Sequence, residues 1–250
     1  VDDSSSSSTA ITALADLGRV REEFSRFMME YKFGMDEMTT RISILQQEFT
    51  HLHDDNPIEH VSSRLKSPDS IVEKMQRREC GPSFEDIRRV ITDIAGIRVT
   101  CSFSSDVYKV FDALQAQPDL VLLQVKDYIA RPKPNGYRSL HGIFEVPVHL
   151  SDRIVPVVVE VQLRTVAMDF WASLEHKIYY RYHDQVPVDL RVDLKEAADT
   201  AAELDTKMAA LHAQTRKHQT HPSPEARPEP VELSEAVARQ LAQLRAQLED

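Results

Sequence analysis

The chain has 250 residues, 42% of them hydrophobic, which is enough for one sizeable core with appended elements. Its formal net charge of −10 excludes a general nucleic-acid or membrane-surface binder, so no stable DNA binding is expected and any cationic function must be local. Cys80 and Cys101 lie far apart without a CxxC companion, and no run approaches the ~18–20 apolar residues of a membrane span; a reduced, cytoplasmic protein is expected.

Residues 1–10 hold a polar Ser run with too little apolar content to order itself, and disorder is expected there. Residues 11–55 read as a helical extension. Phe24, Met28, Tyr31, Met35, Met38, Ile42, Leu45, Phe49 and Leu52 alternate steps of four and three. That spacing predicts a helix packed along one seam, either on its own domain or on another subunit. Gly34 within it costs about 1 kcal/mol relative to Ala, which leaves open one long rod or two helices broken near Phe33 and Gly34.

Between 56 and 185 the hydrophobic period changes repeatedly, as in a mixed α/β domain. Ser67 and Pro68 read as a helix cap and first helical residue. Val- and Ile-rich runs predict strands at 97–103, 120–127, 140–148 and 153–164. A helix over 106–117 presents Val107, Val110, Phe111 and Leu114 on one face, and another over 166–182 presents Ala167, Trp171, Leu174 and Ile178.

Residues 186–217 are Ala-rich, with Leu194, Ala197, Ala201, Leu204, Met208 and Leu211 in helical register. A Pro-rich linker follows at 218–230, then an amphipathic helix over 231–250 carrying Leu233, Val237, Leu241, Leu244 and Leu248. These narrow apolar seams point to a homo-oligomer or to docking within the chain.

Four groups of residues carry chemistry. Arg64 and Lys66 precede the Ser67-capped helix, and Ser70 and Lys74 stand four apart on it. All four can converge on an anion at the positive end of that helix, without the Gly-rich pattern of a P-loop. Asp93, followed by Ile94-Ala95-Gly96-Ile97-Arg98, stands at a strand entrance and can hold Mg²⁺ with a second carboxylate. Alternation over 157–164 supplies that partner, because Val158, Glu160, Gln162 and Arg164 share one face while Val157, Val159, Val161 and Leu163 take the other.

The third group is the loop over 128–141, where Arg131, Lys133 and Arg138 can meet phosphates and Tyr137 offers a ring face to a base at roughly 1–3 kcal/mol. The fourth is a polar stripe of Asp169, Ser173, His176 and Tyr180, in which Asp169 either accepts from a base edge or stabilises the first turn of its helix. The scattered histidines, such as His51, His53 and His60, lack the surroundings of a metal site.

The order of five segments resembles the synthetase domain of the RelA/SpoT family, specifically its small alarmone synthetases. They are 56–71, 93–98, Pro132-Lys133-Pro134-Asn135-Gly136-Tyr137-Arg138-Ser139-Leu140-His141, Glu160-Val161-Gln162-Leu163-Arg164-Thr165, and 167–177. The resemblance implies an α+β fold, a mixed five-stranded sheet of nucleotidyltransferase type flanked by helices. It implies transfer of the β,γ-pyrophosphate of ATP to the 3′-hydroxyl of GTP or GDP, giving AMP and pppGpp or ppGpp.

By the family's pattern Arg64 and Arg98 sandwich adenine, while Lys66, Ser70 and Lys74 hold ATP phosphates. Asp93 and Glu160 bind Mg²⁺, Glu160 also taking the proton of the attacking hydroxyl. Tyr137, Arg131 and Lys133 receive the guanine nucleotide. Asp169 stands where some relatives carry Asn, and is expected to strengthen selection of guanine. A homotetramer is the implied assembly, and hydrolysis of the product is not expected. The alternative is a catalytically silent guanine-nucleotide-binding scaffold of the same fold, against which the presence of both carboxylates weighs.

Overall fold

A five-stranded sheet with a 50-residue helix laid across it organises the chain in a computed structural model that describes residues 3–52, 56–182, 186–218, 237, 239–240 and 245. Helix α1 (Asp3–Leu52) is followed by β1 (Ile58–Leu65), α2 (Pro68–Arg77), α3 (Phe84–Val90), β2 (Ala95–Cys101) and α4 (Ser104–Gln115). Then come β3 (Val121–Asp127), β4 (Leu140–His149), β5 (Ile154–Thr165), α5 (Val166–Arg181) and α6 (Val188–His218). The sheet order is β1-β2-β5-β4-β3, with β2 and β5 parallel and every other pairing antiparallel. This is the mixed five-stranded architecture expected.

The period-2 pattern of β5 divides the sheet into two faces. Val157, Val159, Val161 and Leu163 are buried on one, alongside Ile97 and Val99 of β2 and Phe144 and Val146 of β4. Helices α1 and α4 cover that face. Tyr31, Met38 and Ile42 of α1 are fully buried there, each contributing about 1.5–3 kcal/mol of apolar transfer. Glu30, buried beside them, is paired with Arg88 of α3 and with Arg153, the residue before β5, which fixes the rotation of the helix.

Helix α1 runs unbroken through Gly34. A Cβ at this position would stand 2.5 Å from Val157 Cγ1, so the glycine serves close approach of helix to strand. The Ser run expected to be disordered lies within α1 from Asp3 onward. Once a helix is nucleated by its packed half, each added residue costs little, and weak helix formers are carried along.

Strand β1 was not foreseen as a strand, because its residues Glu59, His60, Ser62, Ser63 and Arg64 break apolar alternation at a sheet edge. Helix α6 matches the Ala-rich helix over 186–217, but only Leu194 and Ala198 of its apolar residues are buried. Leu204 is 52% exposed, and Leu174 of α5, expected to be buried, is 41% exposed. With Phe170 and Met208 these residues line an apolar groove of about 940 Å³ between α5 and α6. The expected Pro-rich linker and terminal helix lie outside the described residues, apart from His218 at the end of α6 and from residues 237, 239–240 and 245, which are helical.

Candidate active site

The polar face of the sheet carries the chemistry, and strand register arranges it in rows. One row runs Arg64 (β1), Gly96 (β2), Glu160 (β5); the next runs Ser62 (β1), Arg98 (β2), Gln162 (β5), His141 (β4). Gly96 has no side chain, and a Cβ there would meet nothing nearer than Arg64 O at 3.9 Å. The space above it is a cleft of about 170 Å³ lined by Arg64, Asp93, Arg98, Glu160 and Gln162 among others.

On the α2 side, Ser67 caps the helix: its Oγ accepts from Ser70 N at 3.3 Å and donates to Ser70 Oγ at 2.9 Å. Lys66 Nζ and Lys74 Nζ both reach Asp93 Oδ2, at 3.0 and 2.8 Å. Asp93 sits in the turn between α3 and β2, and its other oxygen, Oδ1, is buried without a hydrogen-bond partner. Burial alone would raise its carboxyl, but the bonds from Lys74 and Lys66 outweigh burial and hold it below the ordinary Asp value. An ionised carboxylate with an unused buried oxygen, facing a polar cleft, is suited to a divalent cation.

Glu160 is surrounded by donors. His141 Nδ1 lies 3.1 Å from its Oε1, and Gln162 Nε2 donates to Oε2 at 2.8 Å. Burial raises Glu160 and the His141 and Gln162 bonds more than compensate, leaving it below its ordinary value and ionised at neutral pH. The chain continues outward: Tyr137 OH is 2.8 Å from His141 Nε2, and Arg164 Nη2 donates to Tyr137 OH at 2.7 Å and to Gln162 Oε1 at 3.0 Å. Each group is used once when Arg164 donates to Tyr137, Tyr137 to His141 and His141 to Glu160.

The loop between β3 and β4 brings Tyr137 here. Asp127 Oδ1 accepts from Ile129 N and Ala130 N, both at 2.9 Å, and Gly136 turns the chain at φ +88°. Lys133 Nζ stands 4.6 Å from the Tyr137 ring centre and 4.7 Å from that of Tyr128. A base stacking on Tyr137 therefore meets a cation at the same ring. Arg131 is exposed on the loop and does not line the cleft.

Arg138, expected to face phosphate, points elsewhere: it donates to Ile129 O at 3.4 Å and lines a separate hollow with Asp205 of α6. It stands in the irregular stretch ahead of β4, where its side chain lies against α6 rather than over the cleft. Asp169, expected at a base edge, accepts through Oδ1 from Arg164 Nη1 at 3.1 Å and lies 3.3 Å from Arg98 Nη1. Burial, and then the neighbouring Arg164 guanidinium, pulls Arg98 below its ordinary value. Arg98 Nε and Arg164 Nε are buried without a hydrogen-bond partner.

Thus Arg64, Asp93, Arg98 and Glu160 share the cleft, with Lys66 and Lys74 bonded to its edge and Ser70 in the helix cap beside them. Sequence reasoning assigned no role to His141, Gln162 or Arg164, which are the residues that hold Glu160 and Tyr137. Arg164 is 5% exposed; an Arg on the polar face of a Val-rich strand was the available signal.

Residues 63–185 match the family model described as a region found in RelA / SpoT proteins. The GTP pyrophosphokinase YwaC of Bacillus subtilis (strain 168) is 49% identical over 202 residues, covering 81% of this chain and 96% of the relative. The crystal structure of small alarmone synthetase 2 from Bacillus subtilis superposes with a TM-score of 0.68 at 50% identity, covering 75% of this chain and 97% of that one. That of small alarmone synthetase 1 from the same organism, bound to its product pppGpp, gives a TM-score of 0.74 at 32% identity, covering 78% and 99%. On this identity, spread over nearly the whole length of these relatives, and on the shared fold, the chain belongs to the RelA/SpoT family, among its small alarmone synthetases.

Proposed function

We propose that the chain is a (p)ppGpp synthetase that transfers the β,γ-pyrophosphate of ATP to the 3′-hydroxyl of GTP or GDP. The observation that carries this is the single cleft holding both Asp93 and Glu160, bounded by Lys66 and Lys74 on one side and by the Tyr137 loop, through His141, on the other. Arg64 and Arg98 flank adenine, and Lys66, Ser70 and Lys74 receive the phosphates at the start of α2. Tyr137 and Lys133 receive the guanine nucleotide, with Arg131 reaching its phosphates from the exposed part of the loop.

Glu160, ionised, accepts the proton of the 3′-hydroxyl as that oxygen bonds to the β-phosphorus of ATP; the bond from the β-phosphorus to the bridging oxygen breaks and AMP leaves. Asp93 and Glu160 are the residues that would hold Mg²⁺, and the free Oδ1 of Asp93 fits that assignment. When bound, the ion neutralises charge on the transferring phosphates. The protein's own contribution is positioning and fixed charge.

The exposed apolar groove between α5 and α6 supports a homo-oligomer, which we propose to be a tetramer. Among the described residues no helix is long and apolar enough to cross a membrane, and we propose a cytoplasmic site of action, where both nucleotides are abundant. The test is to incubate the protein with Mg²⁺, GTP and γ-labelled ATP and to separate the nucleotides by anion exchange. Labelled pppGpp that disappears with Glu160→Gln establishes the synthetase; absence of product at every Mg²⁺ level sinks it.

A further inference from the structure

The loop that carries Tyr137 does not rest on its own sheet alone; helix α6 lies against its turn. A Cβ on Gly136 would stand 2.4 Å from Ala198 Cβ and 3.1 Å from Lys195 Cδ. Ala198 is buried with Trp171 and Ala172 in a small core of its own, against which Tyr137 and Ala201 pack.

This second core is separate from the main one, and specific bonds fix α6 in it. Trp171, 6% exposed, donates Nε1–H to Leu194 O at 2.9 Å. Thr165 Oγ1 donates to Asp205 Oδ2 at 2.5 Å and accepts from Met168 N at 3.1 Å, so one hydroxyl caps α5 and ties α6 to it. The loop is bound to α5 as well, through Asn135 Nδ2 donating to Glu175 Oε1 at 3.0 Å. Neither Trp171 nor Ala198 lines the cleft, and Lys66, Lys74 and Asp93 on the α2 side are bonded to one another instead.

We infer that α6 clamps the acceptor subsite, with Trp171 and Ala198 as positioning residues that set the place of Tyr137 and hence affinity for the guanine nucleotide but not for ATP. The inference rests on the reading of the Tyr137 loop as the acceptor subsite. A flat ring stacks well only at a fixed height and tilt, so a loop freed from its backing loses stacking without losing any residue that touches ligand.

The test is steady-state kinetics with ATP and GTP varied separately. Trp171→Phe keeps a ring but deletes the bond to Leu194; a single hydrogen bond corresponds to roughly a three- to tenfold rise in KM for GTP, with KM for ATP unchanged. Gly136→Ala should raise KM for GTP further. Ala198→Gly in the same chain should recover part of that rise, because it removes the 2.4 Å conflict while leaving the cost of the left-handed backbone.

Equal changes in the two KM values, or a Gly136→Ala defect untouched by Ala198→Gly, would overturn the clamp. Tyr137→Ala separates the two levels of the argument. If it raises KM for GTP while Trp171→Phe and Gly136→Ala do not, the clamp alone is wrong. If it leaves KM for GTP unchanged, the acceptor reading of the loop is wrong and the clamp falls with it.

Discussion

His141 Nδ1 lies 3.1 Å from Glu160 Oε1, across the β4–β5 pairing and two residues from its register partner Gln162. The imidazole, 7% exposed, separates the carboxylate from Tyr137 and keeps it ionised despite burial. His141→Leu removes that bond while burial remains, so the Glu160 carboxyl must rise and the proton must leave at higher pH. The acid limb of kcat/KM against pH should shift upward. The rate at neutral pH should fall by less than the roughly 10²–10⁴-fold of losing a general base outright. A pH–rate profile checks this, and an acid limb that stays in place would mean that Glu160 is held low by other means.

Asp93 gives a stability effect of defined sign. Its folded value is lowered by Lys74 and Lys66 against burial, so its contribution is present above the unfolded Asp value near ~3.9 and is lost as pH falls through the folded one. Asp93→Asn should lower the urea midpoint at pH 7, where it leaves two ammonium groups without their partner. The gap between the two proteins should narrow below about pH 4. Urea titrations across pH 3 to 7 measure it; a constant gap would place the effect in packing.

The strands and their faces were legible because period-2 alternation is a local signal: Glu160, Gln162 and Arg164 fell on the predicted face of β5. The β1 edge strand was not, since its polar residues are justified only by the cleft they border. The contact between Asp93 and the two lysines joins residues 27 and 19 positions apart through the β1–β2 pairing, and no local pattern encodes such a meeting. Arg138 shows the converse error: a cation in a cationic loop reads as a ligand, yet its side chain lies against α6, a contact between distant segments that no local pattern encodes.

Gly34 tests the seat of α1. In an exposed helix Gly34→Ala would gain about 1 kcal/mol. Here the new methyl would lie 2.5 Å from Val157 Cγ1 and 2.7 Å from its Cβ, on a β-branched side chain that cannot rotate away. Overpacking of this kind costs about 1–3 kcal/mol, so after the helix gain a net loss of up to about 2 kcal/mol is expected, read as a lower denaturation midpoint. A more stable Gly34→Ala would show that α1 can lift from β5.

Asp169 joins the two halves of the site, since its Oδ1 meets Arg98 on the proposed adenine side and Arg164 on the proposed guanine side. A residue that only reads guanine would, when lost, change the preference for GTP over ATP as acceptor and nothing else. The observed bridging predicts more. Asp169→Ala releases Arg98 and leaves the buried Arg164 with an unpaired charge, so KM should rise for ATP as donor as well as for GTP. Asp169→Asn keeps one acceptor oxygen for the two guanidinium groups but loses the charge, and should fall between the parent and Asp169→Ala on both constants. A rise confined to GTP in both variants would return Asp169 to the guanine edge and make its bond to Arg98 incidental.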